Sequence, residues 1–207
     1  MHTSAYKNGE KFYNKYLQGN FENKKVLDIG SYDVNGTLKP IFVEGEYLGI
    51  DMSEGPNVDK VCNAHDIDLP SESFDAIIST SCFEHDEMFW VTFLEMCRIV
   101  KPQGYIYINK PSAGPYHGWP GDCWRFYSDA GKALSNWASR NNYKIELKES
   151  YIDNSSEEWK DRFNEEIISK LLKIQWWNWD DAKVKENVSL LCNNDIQKFV
   201  NRFYNEN

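Results

Sequence analysis

Two short apolar runs, each ending at a glycine or an acidic residue, constrain the fold of this chain more than any other feature. Residues 26–30 (VLDIG) and residues 47–51 (YLGID) have the composition of parallel strands that are buried on both faces of a sheet. In such sheets, ligands bind at the carboxyl edge, where the strand order reverses. Asp51 follows Gly30 by 21 residues, close to the spacing of about 20 between a nucleotide-binding turn and the carboxylate that binds ribose hydroxyls. The pattern predicts an adenosine-containing cofactor.

The remaining apolar patterns complete an α/β arrangement. Helical patterns at residues 4–18, 37–43, 87–100 and 128–141 alternate with strand-like runs at 58–62, 74–80 and 105–109, and Ser128 is suited to cap the last of these helices. Two further strand-like runs, at 143–150 and 158–163, bring the predicted number of strands to seven. The alternation predicts a doubly wound, mostly parallel, seven-stranded sheet.

The overall composition excludes several classes of protein. The formal net charge of −9 and the absence of a Lys/Arg cluster argue against a nucleic-acid partner. No apolar run approaches the roughly 20 residues of a membrane span, and the first residues lack the apolar stretch of a signal peptide. The five cysteines are scattered, as reduced thiols are. We therefore expect a cytoplasmic chain without a membrane span.

The character of the sequence changes after Phe163, which predicts a domain over residues 1–163 and a helical C-terminal extension over residues 164–207. The extension has helical apolar spacing and a group of tryptophans that a solvated tail would not carry. These residues either pack on the domain or form an interface, within a homo-oligomer or with a partner. They are Ile167, Ile168, Leu171, Leu172, Trp176, Trp177 and Trp179.

Four segments, taken in order over residues 24–163, are similar to the class I S-adenosylmethionine-dependent methyltransferases of the type 11 group. They are VLDIGS, YLGIDM, VCNAHDIDLPSESFDAIISTSCFEH and RIVKPQGYIYINKPS. The resemblance implies a Rossmann-like fold, S-adenosyl-L-methionine as the cofactor and methyl transfer as the reaction. The first loop departs from the family pattern, because Tyr32 stands where the second glycine of GxGxG is usual. This loop must therefore take a different path past the methionine part of the cofactor.

The alternative cofactor is NAD, which the same order of strand, turn and carboxylate can bind. The glycine-rich motif of NAD sites, G-x-G-x-x-G, is missing: Gly30 is followed by Ser31 and Tyr32, and the next glycine is Gly36. S-adenosylmethionine is therefore favoured.

The resemblance also implies roles for individual residues around the cofactor. Residues after the first strand would shape the loop around its amino-acid end, Asp51 would accept hydrogen bonds from both ribose hydroxyls, and Met52 would pack against adenine. Residues 63–65 would line the adenine edge, and the segment that starts at Ser81 would line the methyl-transfer channel. The full cofactor-binding set is Asp28, Gly30, Ser31, Asp51, Met52, Asn63, Ala64, His65 and Ser81.

Candidate catalytic residues lie after the fourth and fifth strands. A hydroxyl acceptor must lose a proton, and histidine is the obvious base near neutral pH. Two histidines remain as candidates: His85, which also suits ordering of the cofactor, and His117, with Asp122 as a partner that orients it. His117 is preferred because it lies in an unusual loop, residues 110–127. The sequence contains no acidic cluster spaced for a catalytic metal, so no metal is expected.

The loop over residues 110–127 (KPSAGPYHGWPGDCWRFY) is rich in aromatic rings with a few polar groups among them. Long loops without regular structure are usually functional, and flat rings with fixed polar groups suit a sugar or another polar small molecule. The loop is similar to that of methyltransferases associated with bacterial surface-glycan synthesis. Its predicted substrate-binding residues are Tyr116, Trp119, Arg125 and Tyr127.

The C-terminal extension resembles the helical tail of hexapeptide-repeat acetyltransferases, with WWNW as its most distinctive string. The catalytic part of those enzymes has no counterpart in this chain, so only a shared glycan-modifying setting is implied. Together these features predict O-methylation of a sugar, a nucleotide sugar or a surface-glycan precursor in polysaccharide biosynthesis. The alternative is a non-catalytic protein that binds S-adenosylmethionine and docks in a glycan-modifying assembly.

Overall fold

The computed structural model describes residues 3–118 and 120–153 and, nearer the C terminus, residues 169–170, 173–174, 179–180, 182–183, 186–187 and 196–204. The chain divides into two compact units, residues 1–153 and 154–207. The predicted boundary after Phe163 lies outside the described residues and stays a prediction.

The first unit is an α/β domain with five described strands in one sheet. All its strand pairs are parallel, and the strand order is β3-β2-β1-β4-β5. Among the described residues the predicted Rossmann-like arrangement is therefore confirmed, with five strands. Its elements are α1 (Thr3–Tyr16), β1 (Lys25–Ile29), a 3₁₀ helix (Lys39–Phe42), β2 (Glu46–Asp51), β3 (Lys60–Val61), β4 (Phe74–Thr80), α2 (Phe89–Ile99), β5 (Val100–Asn109) and α3 (Ala130–Arg140).

The two faces of the sheet carry separate apolar cores, because successive side chains of a strand point to opposite faces. Leu27 and Ile77 belong to one core, which includes residues of α2 and α3. Val26 and Ile78 belong to the other core, which includes residues of α1 and the 3₁₀ helix. Cover on both faces explains why β1 and β4 are continuous apolar runs without alternation.

The predicted sixth strand, residues 143–150, is wrong: this segment has no strand pairing. Its alternating pattern has another cause, since Tyr143 and Ile145 pack against the core while the intervening residues are more exposed. The Ile145 carbonyl accepts a hydrogen bond from the Ser135 hydroxyl of α3. The segment therefore follows α3 and not the sheet edge. The predicted seventh strand, residues 158–163, lies outside the described residues.

The helix ends differ by a few residues from those predicted. Helix α3 begins at Ala130 after Asp129, which makes no side-chain capping bond, so the prediction that Ser128 caps it is wrong. The Ser128 carbonyl instead accepts a hydrogen bond from the Ser150 hydroxyl.

Within the described parts of the chain, no helix combines the length and the apolar character needed to cross a membrane.

The second unit has a small apolar core of its own among its described residues. Helix α4 (Ile196–Phe203) contributes Phe199 and Phe203, and the ring of Trp179 lies 5.9 and 4.7 Å from their ring centroids. Trp179, predicted either to pack on the domain or to form an interface, packs against the apolar core of this unit. The other six apolar residues predicted for this extension lie outside the described residues.

Asp28 is a buried carboxyl near the carboxyl end of the central strand β1, and only 7% of it is exposed. Burial raises the pKa of Asp28 to about 7; a hydrogen bond from the Tyr47 hydroxyl opposes this increase, and the charge of Asp51 adds to it. An unfolded Asp titrates near pKa 3.9. Between these two values the folded chain binds the proton more tightly than the unfolded chain, so stability falls as pH rises from about 4 to about 7.

We expect Asp28→Asn to flatten the dependence of stability on pH. The contribution removed is on the order of 4 kcal/mol, because each unit between two pKa values is worth about 1.4 kcal/mol. Chemical denaturation at several pH values between 4.5 and 8 measures it, and the variant should gain stability over the wild type as pH rises. Asp68→Asn, at a fully exposed side chain, is the control. An equal slope in Asp28→Asn and the wild type would contradict the assignment.

Candidate functional site

The candidate site lies at the carboxyl edge of the sheet, where β1 is flanked by β2 on one side and by β4 on the other. The chain runs outward from β1 to β2 to β3, and then returns to place β4 beside β1. In sheets of this kind, the crevice beyond such a reversal binds ligands. The loops after β1, β2 and β4 meet there, and the long loop after β5 joins them.

Gly30, directly after β1, allows the loops after β1 and β4 to touch. A Cβ at this position would lie 2.6 Å from Cβ of Cys82 and 2.7 Å from its Sγ. The Gly30 backbone also has φ +80°, a conformation that residues other than glycine rarely adopt. Both Gly30 and Ser31 donate their amide hydrogens to the Ile50 carbonyl, 3.0 Å away. This glycine therefore couples three strand ends.

Tyr32, the departure from the family pattern, has its ring on the loop after β2. A Cβ on Gly55 would lie 2.2 Å from a carbon of the Tyr32 ring, so the ring uses the space that this glycine leaves. The next amide, that of Asp33, donates to the Pro56 carbonyl at 2.9 Å. The loop is thus bent towards β2, which accommodates a side chain where the family has a glycine.

Asp51, at the end of β2, accepts hydrogen bonds from backbone amides in the loops after β1 and β2. Its two carboxylate oxygens accept one hydrogen bond each, from the Tyr32 amide at 3.3 Å and from the Ser53 amide at 3.0 Å. A carboxylate oxygen can accept two hydrogen bonds, so both keep capacity for the two ribose hydroxyls. Met52 follows with 69% of its surface exposed, which suits a residue that covers adenine.

Buried hydroxyl groups lie on the strand ends beneath the crevice. Among the described residues, the hydroxyls of Ser31, Ser79 and Thr80 are buried without a hydrogen-bond partner. Buried polar groups usually have partners in a complete structure, so these hydroxyls indicate that a polar ligand binds here. Ser31 was predicted from the sequence. Thr80, the last residue of β4, was missed because it reads as an ordinary β-branched strand residue.

The segment predicted to line the adenine edge forms a tight turn after β3. The Asn63 side-chain oxygen accepts the amide hydrogen of His65 at 2.9 Å, and Ala64 lies between them. The His65 imidazole points elsewhere, since its Nε2 lies 2.6 Å from Oδ1 of Asp86. Asp86, a residue that the sequence analysis missed, also accepts a hydrogen bond from the Thr92 hydroxyl. His65 thus connects the turn after β3 to the loop after β4.

The loop after β4 begins in a strained conformation. Ser81 has φ +53° and donates its amide hydrogen to the Asn109 carbonyl at 2.9 Å. Cys82 follows it, and burial raises the pKa of the Cys82 thiol to about 12. A protonated thiol is a poor nucleophile, so Cys82 serves as a packing partner of Gly30.

The loop after β5 is held together by an ion pair between Arg125 and Asp122. Both amino groups of the guanidinium donate to the carboxylate, at 2.5 and 2.6 Å, and only 1% of the Asp122 side chain is exposed. This pairing holds the pKa of the Asp122 carboxyl well below its usual range. Arg125 also donates to the Pro115 carbonyl at 2.9 Å. Arg125, predicted to bind the acceptor, therefore uses the two amino groups of its guanidinium on the loop itself, while its Nε has no hydrogen-bond partner among the described residues.

The two candidate catalytic histidines lie together although they are 32 positions apart in the sequence. The rings of His85 and His117 are perpendicular, with centroids 5.1 Å apart. Asp122 accepts the amide hydrogen of His117 at 2.8 Å, and its carboxylate lies 3.3 Å from Nδ1 of that ring. The predicted pairing of His117 with Asp122 is therefore present. Half of the His117 side chain is exposed, against a fifth for His85.

Glu84 is a third member of this group that the sequence analysis missed. It is 1% exposed, and its Oε1 lies 3.7 Å from Nε2 of His85. Burial raises the pKa of the Glu84 carboxyl above its ordinary value. The Glu84 carbonyl accepts amide hydrogens of Cys123 and Trp124 at 2.6 and 3.2 Å, which docks the long loop on β4. The sequence signal that could have identified Glu84 as a site residue is its position directly before His85.

Aromatic rings lie exposed along the same loop. Tyr116 and Tyr127 are 77% and 70% exposed. Trp124 is anchored by a hydrogen bond from its Nε1 to the Asp86 carbonyl at 2.9 Å, and its ring contacts that of Phe89. Trp119 lies outside the described residues. Two exposed phenol rings thus remain as surfaces for an acceptor.

Comparison with known proteins finds similarity to methyltransferases over part of the first unit. Residues 27–108 match a family model described as a methyltransferase domain. The structure of 1,6-didemethyltoxoflavin-N1-methyltransferase from Burkholderia thailandensis, with S-adenosylhomocysteine bound, has a TM-score of 0.52 at 15% identity over 69% of each chain. The YcgJ protein from Bacillus subtilis has a TM-score of 0.44 at 19% identity over 54% of this chain.

A partial match to a different class of enzyme accompanies these. A stretch of 43 residues, 21% of this chain, is 42% identical to a chloramphenicol acetyltransferase of Klebsiella aerogenes. The chain spans about half of the YcgJ protein, 52%, and a fifth of that acetyltransferase, 20%. The predicted likeness of the C-terminal extension to acetyltransferase tails stays a prediction.

The parallel strands and the methyltransferase domain match agree with the sequence-based expectation. The prediction of S-adenosyl-L-methionine as the cofactor is confirmed by the methyltransferase domain match. Residues 27–108 of this chain thus match a methyltransferase domain, and the described residues of the first unit have a Rossmann-like fold.

Proposed function

We propose that this chain is an S-adenosylmethionine-dependent methyltransferase that methylates a hydroxyl group of a sugar, a nucleotide sugar or a surface-glycan precursor. The observation that carries the proposal is the meeting of two regions at one sheet edge. Asp51 and the loop after β1 lie on the cofactor side, and the loop after β5 carries His117, whose ring contacts that of His85 in the loop after β4. A cytoplasmic location and a role in polysaccharide biosynthesis belong to the same proposal.

On the cofactor side, the chain would position a sulfonium whose methyl group is the electrophile. The cofactor supplies the reactivity, and the protein supplies binding and orientation. Asp51 would accept both ribose hydroxyls, while the loop at Gly30 and Ser31 would surround the amino-acid end. Asp28 lies beneath this loop within β1, so it would support the loop through its hydrogen bond with Tyr47. Alignment of the two reacting atoms is worth several kcal/mol by itself.

On the acceptor side, the exposed rings of Tyr116 and Tyr127 would contact the flat faces of a sugar. Flat apolar surfaces beside a few fixed polar groups are typical of sites for polar small molecules. The ion pair of Arg125 with Asp122 keeps the loop folded, so the rings are presented on a defined backbone. Arg125 would thus act on the acceptor only through the loop.

A hydroxyl acceptor must release its proton as its oxygen attacks the methyl carbon. His117 would receive that proton, because its ring is half exposed and the carboxylate of Asp122 lies 3.3 Å from its Nδ1. His85 is less exposed, and its Nδ1 lies 2.5 Å from the Gly121 carbonyl, which suits a residue that orders the loops. An acceptor nitrogen that needs no strong base would make the histidine dispensable.

We expect Asp51→Ala to weaken the binding of S-adenosylhomocysteine at least tenfold, because each hydrogen bond to a charged group contributes about 1.5–3 kcal/mol. Isothermal titration calorimetry measures the dissociation constant. Glu54→Ala removes an exposed carboxylate from the same loop and is the matched control. NAD should not bind to either protein. Unchanged affinity in a folded Asp51→Ala protein would remove Asp51 from the ribose role.

We expect His117→Ala to lower turnover about 10²–10⁴-fold, the usual worth of a general base, with cofactor affinity unchanged. His85→Ala should lower both turnover and cofactor affinity, because His85 orders the loops beside the cofactor. The assay follows formation of S-adenosylhomocysteine with a panel of sugars and nucleotide sugars, in chelator-treated protein. Near-normal turnover in His117→Ala would reassign the base to His85 or indicate a nitrogen acceptor. No turnover with any acceptor would favour the non-catalytic binding protein.

A further inference from the structure

We propose that Glu84, His85 and His117 form a binding site for one divalent first-row metal ion of the zinc type. The two imidazoles and the carboxylate bring their ligand atoms within 4.8 Å of one another. The site lies beside the proposed acceptor region, yet metal binding does not depend on the proposed methyl transfer. It replaces the sequence-based expectation that the chain has no metal site.

The spacing of the ligand atoms suits a tetrahedral ion. Ligand atoms about 2.0–2.1 Å from a tetrahedral zinc ion lie roughly 3.4 Å apart. Oε1 of Glu84 and Nε2 of His85 are separated by 3.7 Å, close to that value. No separation within the group exceeds 4.8 Å, and the His117 side chain is half exposed. Its ring therefore has room to adjust to the tetrahedral spacing.

The hydrogen bonds of His85 leave the correct nitrogen for a metal. Its Nδ1 lies 2.5 Å from the Gly121 carbonyl, which can only accept a hydrogen bond, so Nδ1 carries the proton. The lone pair is then on Nε2, the atom that faces Glu84. Histidines that bind metals usually donate their other N–H to a carbonyl or a carboxylate.

His117 has a comparable arrangement. Its Nδ1 lies 3.1 Å from the Pro115 carbonyl and 3.3 Å from the Asp122 carboxylate, which are both acceptors. The guanidinium of Arg125 lies 3.3 Å from the same nitrogen, but it makes shorter bonds to these two acceptors, of 2.9 and 2.6 Å. A proton on Nδ1 of His117 can be donated to these two acceptors. The lone pair is then on Nε2, which is left as the metal ligand. Asp122 then orients a ligand, as carboxylates commonly do behind metal-bound histidines.

The buried carboxylate of Glu84 supports a metal ion independently of the spacing of the ligand atoms. Its side chain is 2% exposed, and its Oε2 has no hydrogen-bond partner among the described residues. A buried carboxylate without a partner is unfavourable, and the nearest guanidinium, that of Arg125, is already paired with Asp122. A divalent ion between Glu84 and the histidines would compensate the charge of this buried carboxylate. Three protein ligands also leave a fourth position open on the exposed side.

The donor set selects the class of ion. Two imidazole nitrogens and one carboxylate oxygen are ligands of zinc and related first-row ions. Mg²⁺ and Ca²⁺ prefer sites made of oxygen ligands only. When the ion is bound, the Nε2 lone pair of His117 belongs to it, so the proposed base role of His117 applies to the metal-free chain alone.

The test measures metal binding without cofactor or acceptor, so its outcome is separate from that of the methyl-transfer assay. The full chain, without a polyhistidine tag, is stripped with a chelator and titrated with Co²⁺ by visible absorption and with Zn²⁺ by calorimetry. We expect one ion per chain and a tetrahedral Co²⁺ spectrum, and no heat with Mg²⁺. Absence of stoichiometric binding in the wild type would overturn the proposal.

The variants identify the ligands. Glu84→Gln keeps the shape of the side chain and both histidines, and His117→Ala removes a ligand from the half-exposed position. Each should weaken Zn²⁺ binding at least about tenfold, since even loss of an outer hydrogen bond at a metal site costs 10–100-fold. Glu87→Gln, an exposed glutamate three positions away, is the control and should bind like the wild type. Wild-type affinity in folded Glu84→Gln and His117→Ala would also overturn the proposal.

Discussion

The close approach of the loops after β1 and β4 is the constraint on which the site depends. Gly30 lies against Cys82 with no room for a side chain between them, and the same residue shares the Ile50 carbonyl with Ser31. This contact sets the floor of the crevice between the cofactor loop and the segment that carries Glu84 and His85. A side chain at Gly30 would separate the two loops and with them the cofactor and acceptor sides.

Charge in the acceptor region is organised around a few buried groups. The Asp122 carboxylate is nearly inaccessible and is paired with Arg125, so the loop after β5 has an internal support of its own. Glu84 is equally buried but lacks such a partner for one of its oxygens. The two acids flank the histidine pair and differ in what satisfies them. This difference is the basis for assigning Asp122 to orientation and Glu84 to metal binding.

Much of the fold was predictable from local patterns, because a buried parallel strand requires a continuous apolar run and its end requires a glycine or a polar residue. The strands at residues 26–30 and 47–51 were therefore found within one residue of their bounds. The run at 143–150 misled because alternation records only which side chains are buried. Residues packed along α3 alternate between more buried and more exposed side chains, just as residues in a sheet do.

The sequence by itself determined the class of domain, the carboxylate Asp51 and the composition of the loop after β5, since each depends on residue type and spacing along the chain. Only the tertiary structure decided which polar groups satisfy one another. It committed Arg125 to Asp122, tied His65 to Asp86 and brought Glu84 to the two histidines. These pairings join residues 1 to 33 positions apart in loops, where no periodic pattern specifies a partner. Folding of the sheet brings these loops to one edge, and burial there makes the choice of partner energetically decisive.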